Sequence, residues 1–174
     1  MLRVYENYYI YLKQLNAIFV EMQPLNLPTY SFTIKAEGER KLIFDNIRKK
    51  YVVLTPEEWV RQHFIRFLTE EMHYPASLIS VELFLKLNNT SRRSDVVVFD
   101  KNGKPLMIIE CKAPAVPLSQ ATFDQVARYN LKMKVSYLLI TNGLQHYCCR
   151  LDNQAGTYEF LDYVPGYNEL LAGS

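Results

Sequence analysis

The dipeptide Asn102-Gly103 separates two apolar runs and dictates how they pair. Residues 96–99 form the first run and residues 106–109 the second. Asn-Gly is a strong signal for a tight turn, and a tight turn between two such runs joins strands that lie antiparallel. The sequence therefore predicts a hairpin whose second strand occupies residues 106–112.

A further strand and a helix are predicted ahead of this hairpin. Apolar residues alternate strictly along residues 79–87, which is the pattern of a half-buried strand and extends the hairpin to a three-stranded meander. Before it, Thr55 is a suitable N-cap, Pro56 suits the first helical position, and Glu58 completes a capping box. A helix is therefore expected to begin after Thr55.

The segments after the meander complete the predicted fold. An amphipathic pattern over residues 118–134 predicts a helix with Ser119 as N-cap. A short apolar strand follows, closed by Asn142-Gly143, and two further strands are expected at residues 146–151 and 157–163. The prediction is an α/β protein with a mixed central sheet of four or more strands, an antiparallel meander plus further strands, flanked by helices.

The length of the chain suits one hydrophobic core. With 174 residues, 49% of them apolar, a single domain is expected. A helix is predicted over residues 1–22 and a hairpin over residues 29–44. We therefore predict an N-terminal extension, residues 1–50, that packs on a core domain of residues 51–174.

Composition narrows the expected environment. The net charge of +2 creates no strong field, so nucleic acid would have to meet a local cluster such as residues 46–51, "NIRKKY", which is otherwise a solvated charge run. Three cysteines have neither metal-ligand spacing nor a disulfide pattern. The apolar N-terminal stretch is interrupted by polar residues, so no membrane partner is expected. A cytoplasmic protein is predicted.

The third strand of the meander ends in charged residues. Alternation places Glu110 and Lys112 on one face and Cys111 on the other, while the hairpin brings Asp95 beside Glu110. Two adjacent carboxylates repel unless a cation neutralises them, and Mg²⁺ prefers such oxygen ligands. With Lys112 beside it, this set would suit phosphodiester hydrolysis. The alternative interpretation is a partly exposed structural ion pair.

Other polar residues are candidates for the functional site, although each also has a purely structural explanation. Gln125 and Tyr129 lie one turn apart on a predicted helix, where a solvated glutamine and a half-buried tyrosine are equally ordinary. Arg92 and Arg93 would suit a phosphate clamp or a solvated strand start. Arg61 is a further candidate for nucleic-acid contact.

The first predicted helix carries a carboxylate that its cap does not need. Glu57 shares a helical stripe with Arg61, Phe64 and Leu68. Because this stripe faces the core, Glu57 is a candidate functional residue, and Glu58 takes that place if the helix register shifts by one.

Four segments together resemble the N-terminal nuclease domain of type I restriction enzyme R subunits, a branch of the PD-(D/E)xK nuclease superfamily. They are "PEEWVRQHF", "RRSDVVVFDKNGKPLMIIECKAP", "FDQVARYN" and "YLLITNG", and their order matches. The resemblance covers about residues 51–151 and implies a restriction-endonuclease-like core. Ser94 stands where the superfamily name has proline. No "GxxxxGK[ST]" phosphate-binding loop of a motor is present.

The resemblance also implies roles for individual residues. Asp95, Glu110 and the Cys111 backbone carbonyl would hold Mg²⁺, for which Mn²⁺ can substitute, and Lys112 would be the catalytic lysine. Gln125 and Tyr129 would form the family's Gln-x-x-x-Tyr motif. Glu57 would be the acid of the first helix.

The implied function is Mg²⁺-dependent DNA endonuclease activity, alone or as the cleavage part of a restriction-type system. The implied partners are DNA and restriction-system subunits that supply a motor or specificity, and self-association is left open. The alternative is a catalytically silent nuclease-fold module for DNA binding or subunit docking. A third reading is a phosphodiesterase that acts on RNA or small nucleotides.

Overall fold

The computed structural model of the protein describes residues 22–87, 90–131 and 135–173. The predicted helix over residues 1–22 therefore lies outside the described residues, apart from Met22. Two sheets are present in the described part, one of three strands and one of six. No helix within these ranges is long and apolar enough to span a bilayer.

The three-stranded sheet follows the N-terminal segment. Its strands are β1 (Ile34–Glu37), β2 (Arg40–Asp45) and β3 (Lys50–Val53), and both pairs are antiparallel. The predicted hairpin is present, but its first strand is shorter than predicted. It begins at Ile34, and residues 29–33 precede the ladder. The third strand was not predicted, since its four residues are too few to show a period. The division at residue 50 stays a prediction.

The six-stranded sheet forms the centre of the molecule. Its strands, in spatial order, are β4 (Ile79–Leu87), β5 (Thr90–Phe99), β6 (Pro105–Cys111), β7 (Tyr137–Thr141), β8 (His146–Asp152) and β9 (Thr157–Leu161). Neighbours are antiparallel except β6 and β7, which are parallel. The predicted antiparallel meander and the mixed sheet are both confirmed.

Helices cover both faces of this sheet. They are α1 (Pro56–Arg66), which continues as a π-helical turn (Phe67–Glu71), α2 (Gln120–Leu131) and the short α3 (Tyr167–Ala172); a 3-10 turn (Ala76–Leu78) precedes β4. Thr55 caps α1 as predicted, because its Oγ1 accepts a hydrogen bond from the Glu58 N–H at 3.0 Å. The second hydrogen bond of the predicted capping box, from the Thr55 N–H to the Glu58 side chain, is not formed. The Thr55 N–H donates to the Val53 carbonyl, which leaves the Glu58 carboxylate for other partners.

The two faces of the sheet belong to two hydrophobic cores. Val96, Ile109 and Cys111 pack in the core that contains α1, whereas Val97 and Ile108 pack in the core that contains α2. Strand β6 is therefore buried on both faces, which explains its unbroken apolar run. Each such side chain contributes about 1.5–3 kcal/mol by burial, so the strand that ends at Glu110 is firmly anchored.

Gly143 closes a turn against the N-terminal segment. Its φ is +81°, and a Cβ built on it would lie 2.7 Å from Leu25 Cδ2 and 3.2 Å from Val60 Cγ2. Gly103 has the same φ of +81°, but a Cβ added there would meet no atom within 4 Å. Gly103→Ala therefore isolates the backbone cost of about 1–2 kcal/mol, whereas Gly143→Ala adds about 1–3 kcal/mol of overpacking.

Urea unfolding of both variants measures this difference. Gly143→Ala should be the less stable of the two, and equal losses would contradict the close approach of Leu25.

Candidate active site

The register of β5 and β6 brings Asp95 next to Glu110. The ladder between the two strands ends at the pair Val96 and Ile109, and Asp95 and Glu110 are the residues directly beyond that pair, so they lie beside each other. The Cys111 N–H donates to Asp95 Oδ2 at 2.8 Å. The structure thus places Asp95, Glu110 and Cys111 at the end of the hairpin distant from its Asn-Gly turn, where they were expected.

Lys112 lies at the same edge of the sheet. Its Nζ donates to Glu110 Oε1 at 2.9 Å, and its backbone N–H donates to the Thr141 carbonyl at 2.8 Å. Burial alone would lower the pKa of Lys112, but the hydrogen bond and charge of Glu110 outweigh it, and the pKa is raised. Lys112 is therefore a cation at neutral pH.

Arg61 of α1 holds Asp95 from the other side. Its Nη2 lies 2.8 Å from Asp95 Oδ1 and 3.1 Å from Glu57 Oε1, while Nη1 pairs with Glu58. The side chain is only 4% exposed, and its Nε is buried without a hydrogen-bond partner among the described residues. The expected contact of Arg61 with nucleic acid does not fit this position, because its guanidinium is buried among carboxylates.

The acids at this edge repel one another. Burial raises the pKa of Asp95, and the charge of Glu110 adds to the shift, while Arg61 opposes it without cancelling it. Burial likewise raises the pKa of Glu57, followed by the charge of Asp95. Three carboxylates, Glu57, Asp95 and Glu110, also outnumber the two cations that contact them, Arg61 and Lys112.

A second arginine extends the cluster into the three-stranded sheet. Arg48 Nη2 lies 2.6 Å from Glu58 Oε1 and Nη1 lies 2.7 Å from Glu82 Oε2. Its Nε lies 2.6 Å from Oδ2 of Asp45, which is fully buried. The basic segment 46–51 is thus only partly the solvated run that its composition suggests, since Arg48 faces inward. The spacing of Asp45 and Arg48, three residues apart across a turn, was the available signal.

Glu82 adds an unusual backbone to this region. Val81 pairs with Val96 and Leu83 with Ser94, so Glu82 lies opposite Asp95, and its φ is +54°. A non-glycine residue in this conformation costs about 1–3 kcal/mol and persists only where its surroundings fix it. The alternation that predicted β4 gave no sign of this feature.

For most of the remaining predicted site residues, the structure describes the backbone but not the side chain. Arg93 is 52% exposed and pairs with Glu82, so it lies close to the cluster with room for an external anion. The side chains of Arg92, Gln125 and Tyr129 lie outside what the structure describes, although their backbones belong to β5 and α2. Their roles stay predictions.

Comparison with known proteins identifies the family. Residues 56–165, well over half of the chain, match the model of the type I restriction enzyme R protein N terminus. The chain belongs to this family. The match runs from α1 past β9 and so includes Glu57, Arg61, Asp95, Glu110 and Lys112. Comparison with curated proteins finds no match.

A solved structure supports the fold of this R-protein N-terminal domain. It is the fragment structure of a protein assigned as an HsdR subunit of a type I restriction enzyme from Vibrio vulnificus YJ016. The two chains are 18% identical with a TM-score of 0.50, and the alignment covers 68% of this chain and 25% of that one. The chain thus spans about a quarter of its neighbour's length, and the likeness concerns the fold.

The donor atoms of the R-protein domain fit a hard divalent cation. The described residues contain no group of three or more His, Cys, Asp or Glu side chains arranged as metal ligands. Mg²⁺ needs fewer, because it takes one or two carboxylates and keeps several waters. Asp95 and Glu110 would supply these, and their mutual repulsion is what a cation would relieve. The Cys111 thiol is not a ligand: burial, and then the charge of Asp95, raise its pKa well above the usual range.

Divalent-metal affinity in this domain is expected to fall at a higher pH than for an ordinary carboxylate site. The proton competes with the metal for Asp95, whose pKa is raised by burial and by Glu110. An ordinary aspartate protonates near pH 4. In the metal-free protein the same shift penalises folding: the penalty is absent below the ordinary pKa and fully present above the raised one.

Calorimetric titration with Mn²⁺ at a series of pH values from acidic to neutral measures the effect. Affinity should drop towards the acidic end with protons released on binding. A flat profile over this range would contradict the shifted pKa.

A cavity elsewhere in the domain is separate from this site. It has a volume of about 520 Å³ and lies between α2 and the strands β8 and β9, with Phe123, Tyr147 and Phe160 in its lining. Neither Asp95 nor Glu110 lines it. The candidate active site lies instead where β5 and β6 end, and of its acids Glu57 is the more exposed, with a side chain 44% exposed against 15% for Asp95.

Proposed function

We propose that this domain is a Mg²⁺-dependent DNA endonuclease of the PD-(D/E)xK type, acting alone or as the cleavage part of a restriction-type system. One observation carries the proposal. Asp95, Glu110 and Lys112 gather at a single sheet edge, within the segment that matches the R-protein N-terminal family. Carboxylate pairs with a neighbouring lysine suit metal-assisted phosphodiester hydrolysis.

The residues at this edge would have two roles, metal binding and donation of hydrogen bonds to the substrate. Asp95, Glu110 and the Cys111 carbonyl would hold the cation, which when bound supplies Lewis-acid stabilisation of charge on the phosphate. In the metal-free protein Glu110 raises the pKa of Lys112, so Lys112 is a cation there and would act as a charged donor to the phosphate or the attacking water. Mn²⁺ is expected to replace Mg²⁺ with these oxygen ligands.

Arg61 and Glu57 shape the site around Asp95. The buried guanidinium of Arg61 bridges Asp95 Oδ1 and Glu57 Oε1, which fixes the direction of the Asp95 carboxylate before any cation binds. We therefore assign Arg61 as a positioning residue. Glu57, with a side chain 44% exposed, is a carboxylate that remains accessible to a substrate or its water.

A specific observation favours one alternative, a catalytically silent module for DNA binding or subunit docking. Both Asp95 oxygens already have partners, Arg61 at Oδ1 and the Cys111 N–H at Oδ2. A resident guanidinium can compensate a carboxylate without metal. Such a module would bind DNA with strong salt dependence but would not cleave it.

Metal titration with a plasmid-nicking assay tests the proposal. Supercoiled plasmid should be nicked with Mg²⁺ or Mn²⁺ and remain intact with EDTA. Binding without nicking in either metal would favour the silent module, and nicking in EDTA would contradict metal dependence. RNA and small phosphodiesters in parallel would reveal a different substrate, and restriction-system subunits are the partners to add if the chain is inactive alone.

A further inference from the structure

The turn between β2 and β3 presents two free cations. Arg48, Lys49 and Lys50 follow one another, and while Arg48 faces inward, Lys49 and Lys50 are exposed. Within the described ranges, no carboxylate lies within salt-bridge distance of Lys49 or Lys50. The charges of these two lysines are therefore available to an external anion.

The carboxylate of Asp45 fixes the conformation of this turn through four hydrogen bonds. Asp45 Oδ1 accepts hydrogen bonds from the Ile47 and Arg48 N–H groups, both at 2.7 Å. Asp45 Oδ2 accepts from Arg48 Nε at 2.6 Å and from Gln62 Nε2 of α1 at 2.8 Å. Lys49 adopts a left-handed φ of +53°, a strained conformation that persists because these bonds fix the residues before it. The lysines are thus carried on a preorganised scaffold.

The same contacts place the turn beside the candidate active site. Arg48 binds Glu58, and Glu58 binds Arg61, which in turn holds Asp95. Lys50 pairs with Asp45 in the β2–β3 ladder. Since opposed residues share a face, Lys50 lies on the side of the small sheet that packs against α1, at its exposed rim.

Charge balance explains why cations are needed there. Five acids around the site, Glu57, Glu58, Glu82, Asp95 and Glu110, pair with four cations, Arg48, Arg61, Arg93 and Lys112. The pairs consume these cations and leave a surplus of negative charge, which repels an approaching polyanion. The net charge of +2 for the whole chain gives no compensating field. Attraction must come from local cations that flank the acids.

We propose that Lys49 and Lys50 form a phosphate clamp that binds the DNA backbone beside the bond to be cleaved. The inference rests on the proposed function, because it names the residues that would bind the DNA substrate. The clamp contacts phosphates rather than bases, so it contributes affinity without sequence preference.

Salt-dependent binding of a short DNA duplex tests the clamp. Fluorescence anisotropy is measured with Ca²⁺ in place of Mg²⁺, across a range of KCl concentrations. The double variant Lys49→Asn/Lys50→Gln removes both charges, and asparagine tolerates the left-handed φ at position 49. Loss of two phosphate contacts should make the slope of log affinity against log salt shallower by about 1.8 and weaken binding at low salt.

The matched control is Lys101→Gln/Lys104→Gln. It removes the same charge from exposed positions at the β5–β6 turn, at the opposite end of the strands from Asp95, and should leave the slope within error of the wild type. Equal slopes for all three proteins, with wild-type unfolding temperatures, would overturn the clamp alone. Equal changes in both variants would reduce it to a net-charge effect and also overturn it. A wild type that binds no DNA at any salt would overturn both the clamp and the proposed function.

Discussion

Asp95→Asn and Lys112→Ala are each expected to reduce Mg²⁺-dependent nicking by at least about a hundredfold, while the protein stays folded. Asp95→Asn removes a metal-binding charge and keeps one oxygen to accept the Cys111 N–H, but its amide then faces Arg61 Nη2, so the unfolding temperature is measured alongside. Lys112→Ala removes the cation that donates to Glu110. Supercoiled-plasmid nicking rates measure the effect, with Lys101→Ala, an exposed turn lysine, as the control that keeps full activity.

Metal binding separates the two roles. Mn²⁺ affinity should fall in Asp95→Asn, because that residue is a proposed ligand, and should persist in Lys112→Ala, because lysine is not. If both variants nick DNA as fast as the wild type, the site is assigned to the wrong residues. If the wild type binds Mn²⁺ yet does not nick, the silent module is the better description.

Arg61→Met is expected to lower the free energy of unfolding by about 3–5 kcal/mol. Removing one partner of a buried ion pair leaves the others as uncompensated buried charges. Here Glu58 would lose a bond to Arg61 and Asp95 would lose its contact at 2.8 Å. Urea denaturation gives the loss. Arg66→Met on the same helix is the matched control: Arg66 is 30% exposed and pairs with Glu70, itself 43% exposed, so the loss should stay below about 1 kcal/mol.

A second readout tests whether Arg61 positions Asp95 or merely stabilises the fold. Arg61 opposes the upward shift in the pKa of Asp95, so Arg61→Met should raise that pKa further. Carboxyl-carbon NMR of the metal-free protein follows this titration without any cleavage assay. An unchanged Asp95 titration, or a loss of stability no larger than that of Arg66→Met, would contradict the positioning role.

Local sequence accounts for much of the fold. Asn102-Gly103 between two apolar runs predicted the hairpin, and the hairpin register alone brings Asp95 to Glu110. Thr55 and Pro56 predicted the start of α1. These predictions are confirmed because each depends on residues close in the chain, where turn geometry and capping bonds leave few alternatives.

The sequence by itself determined which carboxylates and which lysine meet at the sheet edge, since alternation and register follow from strand geometry. Only the tertiary structure decided what surrounds them. It buried Arg61 against Asp95, turned Arg48 inward to Glu58 and gave Glu82 its positive φ. Those contacts join separate strands and helices, and a buried charge is tolerated only where packing supplies its partners. Sequence spacing cannot specify such partners, because they come together only when the two sheets and α1 are assembled.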